Sequence, residues 1–221
     1  MKLCSLFVAA FMLAATGGGA LGGEISFGAK AGFAVSNITE TPEEWEDDTS
    51  FRAGFAGGAF LNYAVTPAFS LQPELLYVSR GVKSTLYDDL VLVELEASFD
   101  YVELPVLAKY SFLQGKDFRP CVYAGPCVAF AVGSELEVSA LLFSAGVDFS
   151  SLTHTTDFAA VAGAGFDYEM GGGTLTFDAR FQRGFTNVIL TGDFEIDGST
   201  QTISGDDFKN YGFVFMLGYL F

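Results

Sequence analysis

No apolar run in this 221-residue chain approaches the roughly 20 residues that a membrane-crossing helix needs. The longest, residues 6–15, follows Lys2 and precedes small residues, so residues 1–22 read as an export signal with cleavage expected near Gly22. Histidine is almost absent. A His–Ser hydrolytic pair would have only His154 to draw on, with Ser150 and Ser151 nearby and no third residue to orient it. A solvated loop is the expectation there. Of three cysteines, Cys4 leaves with the signal, and Cys121 and Cys127 remain. Bases are scarce too: 11 Lys and Arg stand against 27 Asp and Glu, a net charge of −16, which argues against nucleic acid as a partner. No repeat, low-complexity tract or linker divides residues 23–221, so one domain is expected there.

What is plentiful is 24 Phe, 9 Tyr and 26 Gly, a composition of strands and turns with only 6 Pro. Alternation of period two recurs in eight segments: 25–36, 51–63, 69–80, 98–112, 118–132, 157–168, 174–185 and 209–221. In 174–185, Leu175, Phe177, Ala179 and Phe181 oppose Thr176, Asp178, Arg180 and Gln182. The segments exceed the usual soluble strand of about 5–6 residues and reach the 9–11 or so that cross a bilayer when tilted. Short connections (64–68, 111–117, 169–173) alternate with long ones (37–50, 81–97, 133–156, 186–208). That rhythm is expected of an eight-stranded, antiparallel, up-and-down transmembrane β-barrel of the all-β class, with its long loops outside the cell.

Charge follows the same division. The first long connection holds Glu40, Glu43, Glu44, Glu46, Asp47 and Asp48, and the four together carry about −17, essentially the whole excess. Alternation alone does not say which face looks inward, since a lipocalin-like carrier would enclose its apolar set. Here the apolar face is continuous in every segment. The other face mixes glycine with Lys30, Arg80, Lys109, Arg119 and Arg180 against Glu74, Glu103, Asp167 and Asp178. These residues are the expected polar network of a lumen filled by its own side chains, which disfavours both a wide channel and catalytic carboxylates.

The last segment, KNYGFVFMLGYLF, sets Tyr211, Phe213, Phe215, Leu217, Tyr219 and Phe221 on one face. It resembles the terminal signal that barrel-assembly machinery reads. GAKAGFAVSNI (28–38), LQPELLYVSRGV (71–82), DYVELPVLAKYSF (100–112), RPCVYAGPCVAF (119–130) and FAAVAGAGFDYEMG (158–171) resemble, in order, the PorT-like outer-membrane β-barrel domain family of Gram-negative bacteria. The resemblance implies a cell outer-membrane location and no defined activity. Cys121 and Cys127 depart from it, standing where aromatic or small residues are expected.

Those two cysteines are six residues apart, about 20 Å along a strand, whereas a disulfide needs Cα atoms within about 7 Å. Both are expected to face the lumen unpaired. Asp193, Glu195, Asp197 and Gly198 look like the start of a calcium loop, but Ser204 stands where a bidentate Glu is required. No cofactor and no metal are therefore expected. The expected partners are outer-membrane lipid, the assembly machinery and a cationic extracellular or protein partner drawn by the acidic loops. The expected role is structural or interactive, with a narrow solute pore, a soluble carrier or a lipid hydrolase as alternatives.

Overall fold

The computed structural model describes residues 24–38, 49–88, 91–140, 143–148, 156–186, 192–196, 199–203 and 209–221. The signal segment, the six acids of 40–48, Ser150, Ser151, His154, Asp197, Gly198 and Ser204 lie outside the described residues.

Among the described residues there are eleven strands: β1 (Glu24–Ile38), β2 (Thr49–Ala64), β3 (Phe69–Asp88), β4 (Val91–Ser111), β5 (Phe118–Ala140), β6 (Phe143–Asp148), β7 (Thr156–Met170), β8 (Gly173–Gly184), β9 (Gly192–Ile196), β10 (Ser199–Ile203) and β11 (Asn210–Leu220). Eight of them close a barrel in the order β1-β2-β3-β4-β5-β7-β8-β11, each antiparallel to its neighbours. The ring shuts where β11 pairs with β1, from Gly28 opposite Leu220 to Ile38 opposite Asn210. The Phe221 N–H donates to the Phe27 carbonyl at 2.9 Å, extending the seam to the last residue. Closure matters because an unpaired backbone group in hydrocarbon costs several kcal/mol.

The alternation becomes two environments. Phe27, Phe33, Phe55, Phe181, Phe213 and Leu217 are exposed on the outer surface, while Lys30, Glu74, Glu103, Asp178 and Arg180 are buried within. Outer aromatics meet across strands, with Phe33 against Phe215 at 5.3 Å and Phe166 against Phe177 at 5.4 Å between ring centroids. At the short-turn end Phe27 stacks on Phe221 at 5.2 Å, as expected of an interfacial aromatic girdle. Inside, Gly28 lies under the Phe60 ring; a Cβ there would come within 2.6 Å of it. The absent side chain is what lets the aromatic lie across the lumen.

The long connections are less loop-like than their composition implies. The β3–β4 ladder runs without interruption from Leu76 opposite Glu103 to Asp88 opposite Val91, through residues expected to be loop. β5 continues past Phe130, which pairs with Thr156 of β7, to Ala140, pairing with β4 on one side and β6 on the other. β9 and β10 form a separate hairpin, so Asp193 and Glu195 sit on a strand.

Candidate functional site

Around the eight-strand ring, β3 and β8 are four positions apart in either direction, so they face each other across the lumen. Alternation turns Glu74 of β3 and Arg180 of β8 inward. Arg180 Nη1 donates to Glu74 Oε2 at 2.7 Å and Nη2 to Oε1 at 3.2 Å, a two-pronged bond across the barrel's full width. Lys30 of β1 joins it, with Nζ donating to Glu74 Oε1 at 2.9 Å and to Asp178 Oδ2 at 2.5 Å. Arg180 Nη2 also reaches Asp178 Oδ2 at 3.0 Å, and Gln72 Nε2 donates to Glu74 Oε1 at 2.7 Å. Two cations and two carboxylates thus neutralise one another in a quartet whose side chains are at most 3% exposed.

Aromatic rings close the quartet from the sides. Lys30 Nζ lies 4.2 Å from the Phe60 ring centroid, and the Arg180 guanidinium carbon 5.4 Å from that of Tyr123. Towards the long-loop end a second layer follows. Arg80 Nε donates to Glu103 Oε1 at 2.9 Å, and Gln182 Nε2 to the same oxygen at 3.1 Å. Asn210 of β11 donates to the Tyr101 hydroxyl of β4 at 3.0 Å, another bond between strands facing each other across the ring. Beneath the quartet, Lys109 pairs with Asp167 at 2.7 Å. A vestibule of about 300 Å³ then opens at the short-turn end, with Ser26, Asn62, Ser70 and Asp167 on its walls.

Arg119 stands apart from these layers. It is paired with Glu169 at 2.6 Å, and both side chains are partly exposed beside the short turns. Its position, second in β5, puts it at the barrel's end rather than its middle. Cys121 and Cys127 are free and buried on the inner face. They pair with Gly165 and Ala159 respectively, six ladder steps apart on a continuous strand, which keeps the thiols from meeting. Sequence reasoning did not single out Tyr101, Asn210 or Gln72. Each sits at an inward parity, but none carries charge; Tyr101 and Asn210 meet from strands distant in sequence, and Gln72 reaches Glu74 two residues along its own strand. Among the described residues, no cluster of three or more His, Cys, Asp or Glu is placed to hold a metal.

A family model described as outer membrane protein beta-barrel domain matches residues 15–190. No curated protein matches the chain. Solved structures similar to it include Ail, the attachment invasion locus protein of Yersinia pestis, in complex with the heparin analogue sucrose octasulfate (13% identity, 90% of this chain and 99% of that one, TM-score 0.43). OprG of Pseudomonas aeruginosa is another (11% identity, 89% and 95%, TM-score 0.47). A third is the outer membrane enzyme PagL (12% identity, 88% and 98%, TM-score 0.40).

Proposed function

The chain belongs to the outer membrane protein beta-barrel domain family, and from that premise we propose that it is a non-conducting, non-catalytic barrel that displays acidic surfaces outside the cell to cationic partners. Within the family we assign it to the PorT-like branch, on the five segments quoted above. The observation that carries the reading is the Lys30–Glu74–Asp178–Arg180 quartet. It bridges strands on facing sides of the ring and is itself sealed by Phe60 and Tyr123. An eight-stranded barrel is just wide enough for side chains to fill, and here ion pairs and rings do so. With the axis occupied, the parts free to act are the long connections, which in the sequence carry nearly all the net charge. A field of that sign draws cationic partners and repels anionic ones.

Two measurements test this. In planar bilayers the refolded mature chain should give conductance indistinguishable from protein-free membrane; reproducible steps would restore the pore. Deca-lysine should bind the barrel in phosphatidylcholine nanodiscs, weaken as salt rises, and bind less well to a variant lacking residues 40–48. Equal binding to both, or none at low salt, would remove the acidic-display reading.

A further inference from the structure

Above Phe130, the last β5 residue that pairs with β7 among the described residues, the ring gives way to an open sheet, β2-β3-β4-β5-β6, in which β2 accompanies β3 as far as Thr49 opposite Ser84. Among the described residues β6 pairs with β5 alone and is the last strand of that order. Among the described residues nothing pairs with its far edge, which presents a row of N–H and C=O groups of the kind the closed ring pairs off. Such an edge is excluded from hydrocarbon, so this part of the sheet stands in water. Natural edges are commonly guarded by Lys, Pro or a bulge. β6 reads FSAGVD, with neither Lys nor Pro, and its ladder to β5 runs without a shift from Ala140–Phe143 to Glu135–Asp148.

The register also sorts charge. Lys83, Glu96, Glu137 and Gly146 form one row across the sheet, and Ser98, Glu135 and Asp148 form the row two residues away. Rows two apart share a face. The single base, Lys83, is next to Glu96 at the far side. Near β6, no Lys or Arg stands in adjacent register to Glu135, Glu137 or Asp148 among the described residues. Position 146, in register with Glu137, is glycine.

We propose that β6 is a strand-addition edge for an extended cationic segment of a partner protein, with basic residues two apart falling in the rows of Asp148 and Gly146. The backbone supplies the affinity and the acidic rows choose the sign and register. A second copy of this chain is the wrong occupant, since edge-to-edge pairing would set acidic rows against acidic rows. The inference rests on the acidic-display reading and gives it a mode of recognition.

The probe is a fluorescent ten-residue peptide of alternating Lys and Val, followed by anisotropy against the full chain in phosphatidylcholine nanodiscs. Its control carries the same residues with alternate backbone nitrogens methylated, which keeps the charge and removes donors. In an antiparallel ladder, alternate residues turn their N–H groups to opposite sides, so of Ala145→Pro and Gly146→Pro one removes an outward donor and the other loosens β6 from β5. Each should weaken the peptide about tenfold, the scale of one or two net hydrogen bonds. The methylated peptide should lose affinity similarly. Because β6 lies outside the eight-strand closure, both variants should keep the mobility of the folded barrel on unboiled gels. Unchanged binding by both variants and by the methylated peptide would overturn strand addition while leaving the deca-lysine result intact. No binding of either cationic probe would sink both readings. A two-copy species in sedimentation, lost in the proline variants, would assign the edge to self-association and overturn the proposal.

Discussion

Glu74 accepts from Lys30, Arg180 and Gln72 at once, and shares both cations with Asp178. Glu74→Gln leaves Lys30 and Arg180 with Asp178 alone. Removing one partner of a buried ion pair costs about 3–5 kcal/mol, because the survivor stays buried and uncompensated. Urea unfolding in detergent should show a loss of that size for Glu74→Gln, and a partial recovery when Arg180→Met is added, since Lys30 and Asp178 then form a neutral pair. A loss below about 1 kcal/mol would mean the quartet is solvated rather than sealed. The cysteines make a second residue-scale prediction. Cys121 and Cys127 are 2% and 1% exposed, so a maleimide should label neither in the folded barrel and both after unfolding. Rapid labelling of the native protein would contradict the filled lumen.

At the scale of elements, depth in the bilayer sets the cost of a charge on the outer face. Phe33 lies in the middle of β1, against Phe215 of β11, whereas Phe27 stacks on Phe221 at the short-turn end. Arg at the midplane costs about 2–4 kcal/mol and near the interface about 0–1. Phe33→Arg should therefore destabilise the folded barrel by the larger amount and Phe27→Arg by the smaller, read from unfolding midpoints in lipid. Equal costs would mean that β1 does not span the membrane as described. Element boundaries were legible wherever lipid faced one side, since hydrocarbon tolerates no polar residue there. They failed beyond it. In VLVELEA (91–97) the alternation persists, but Glu94 and Glu96 replace the lipid-facing set, and a charged alternating run in water reads as loop from composition alone. Only the register with β3 and β5 shows it to be strand.

For the whole molecule, the eight-strand ring follows from alternation and the short-long rhythm of connections, both of which are local. The interior network follows only in part. Which residues look inward is a matter of parity, and parity was readable for Lys30, Glu74, Glu103, Lys109, Asp167, Asp178 and Arg180. Which inward residues meet depends on strand order and stagger round a closed ring. That is why the bond from Glu74 to Arg180, 106 residues apart, and the bond from Asn210 to Tyr101, 109 apart, could not be read from spacing. Arg119 shows the same limit: its parity is inward, yet its height along β5 puts it at the rim beside Glu169.

The central claim is that side chains alternate between lipid and a packed interior, and β8 offers the cleanest place to measure it. In a background with both native lumen cysteines replaced, single cysteines at 175, 177, 179 and 181 and at 176, 178, 180 and 182 would each carry a nitroxide in nanodiscs. The account predicts that oxygen, which concentrates in hydrocarbon, broadens the odd-numbered set strongly and the even-numbered set weakly. A uniform response, or one with the even-numbered set facing lipid, would contradict it.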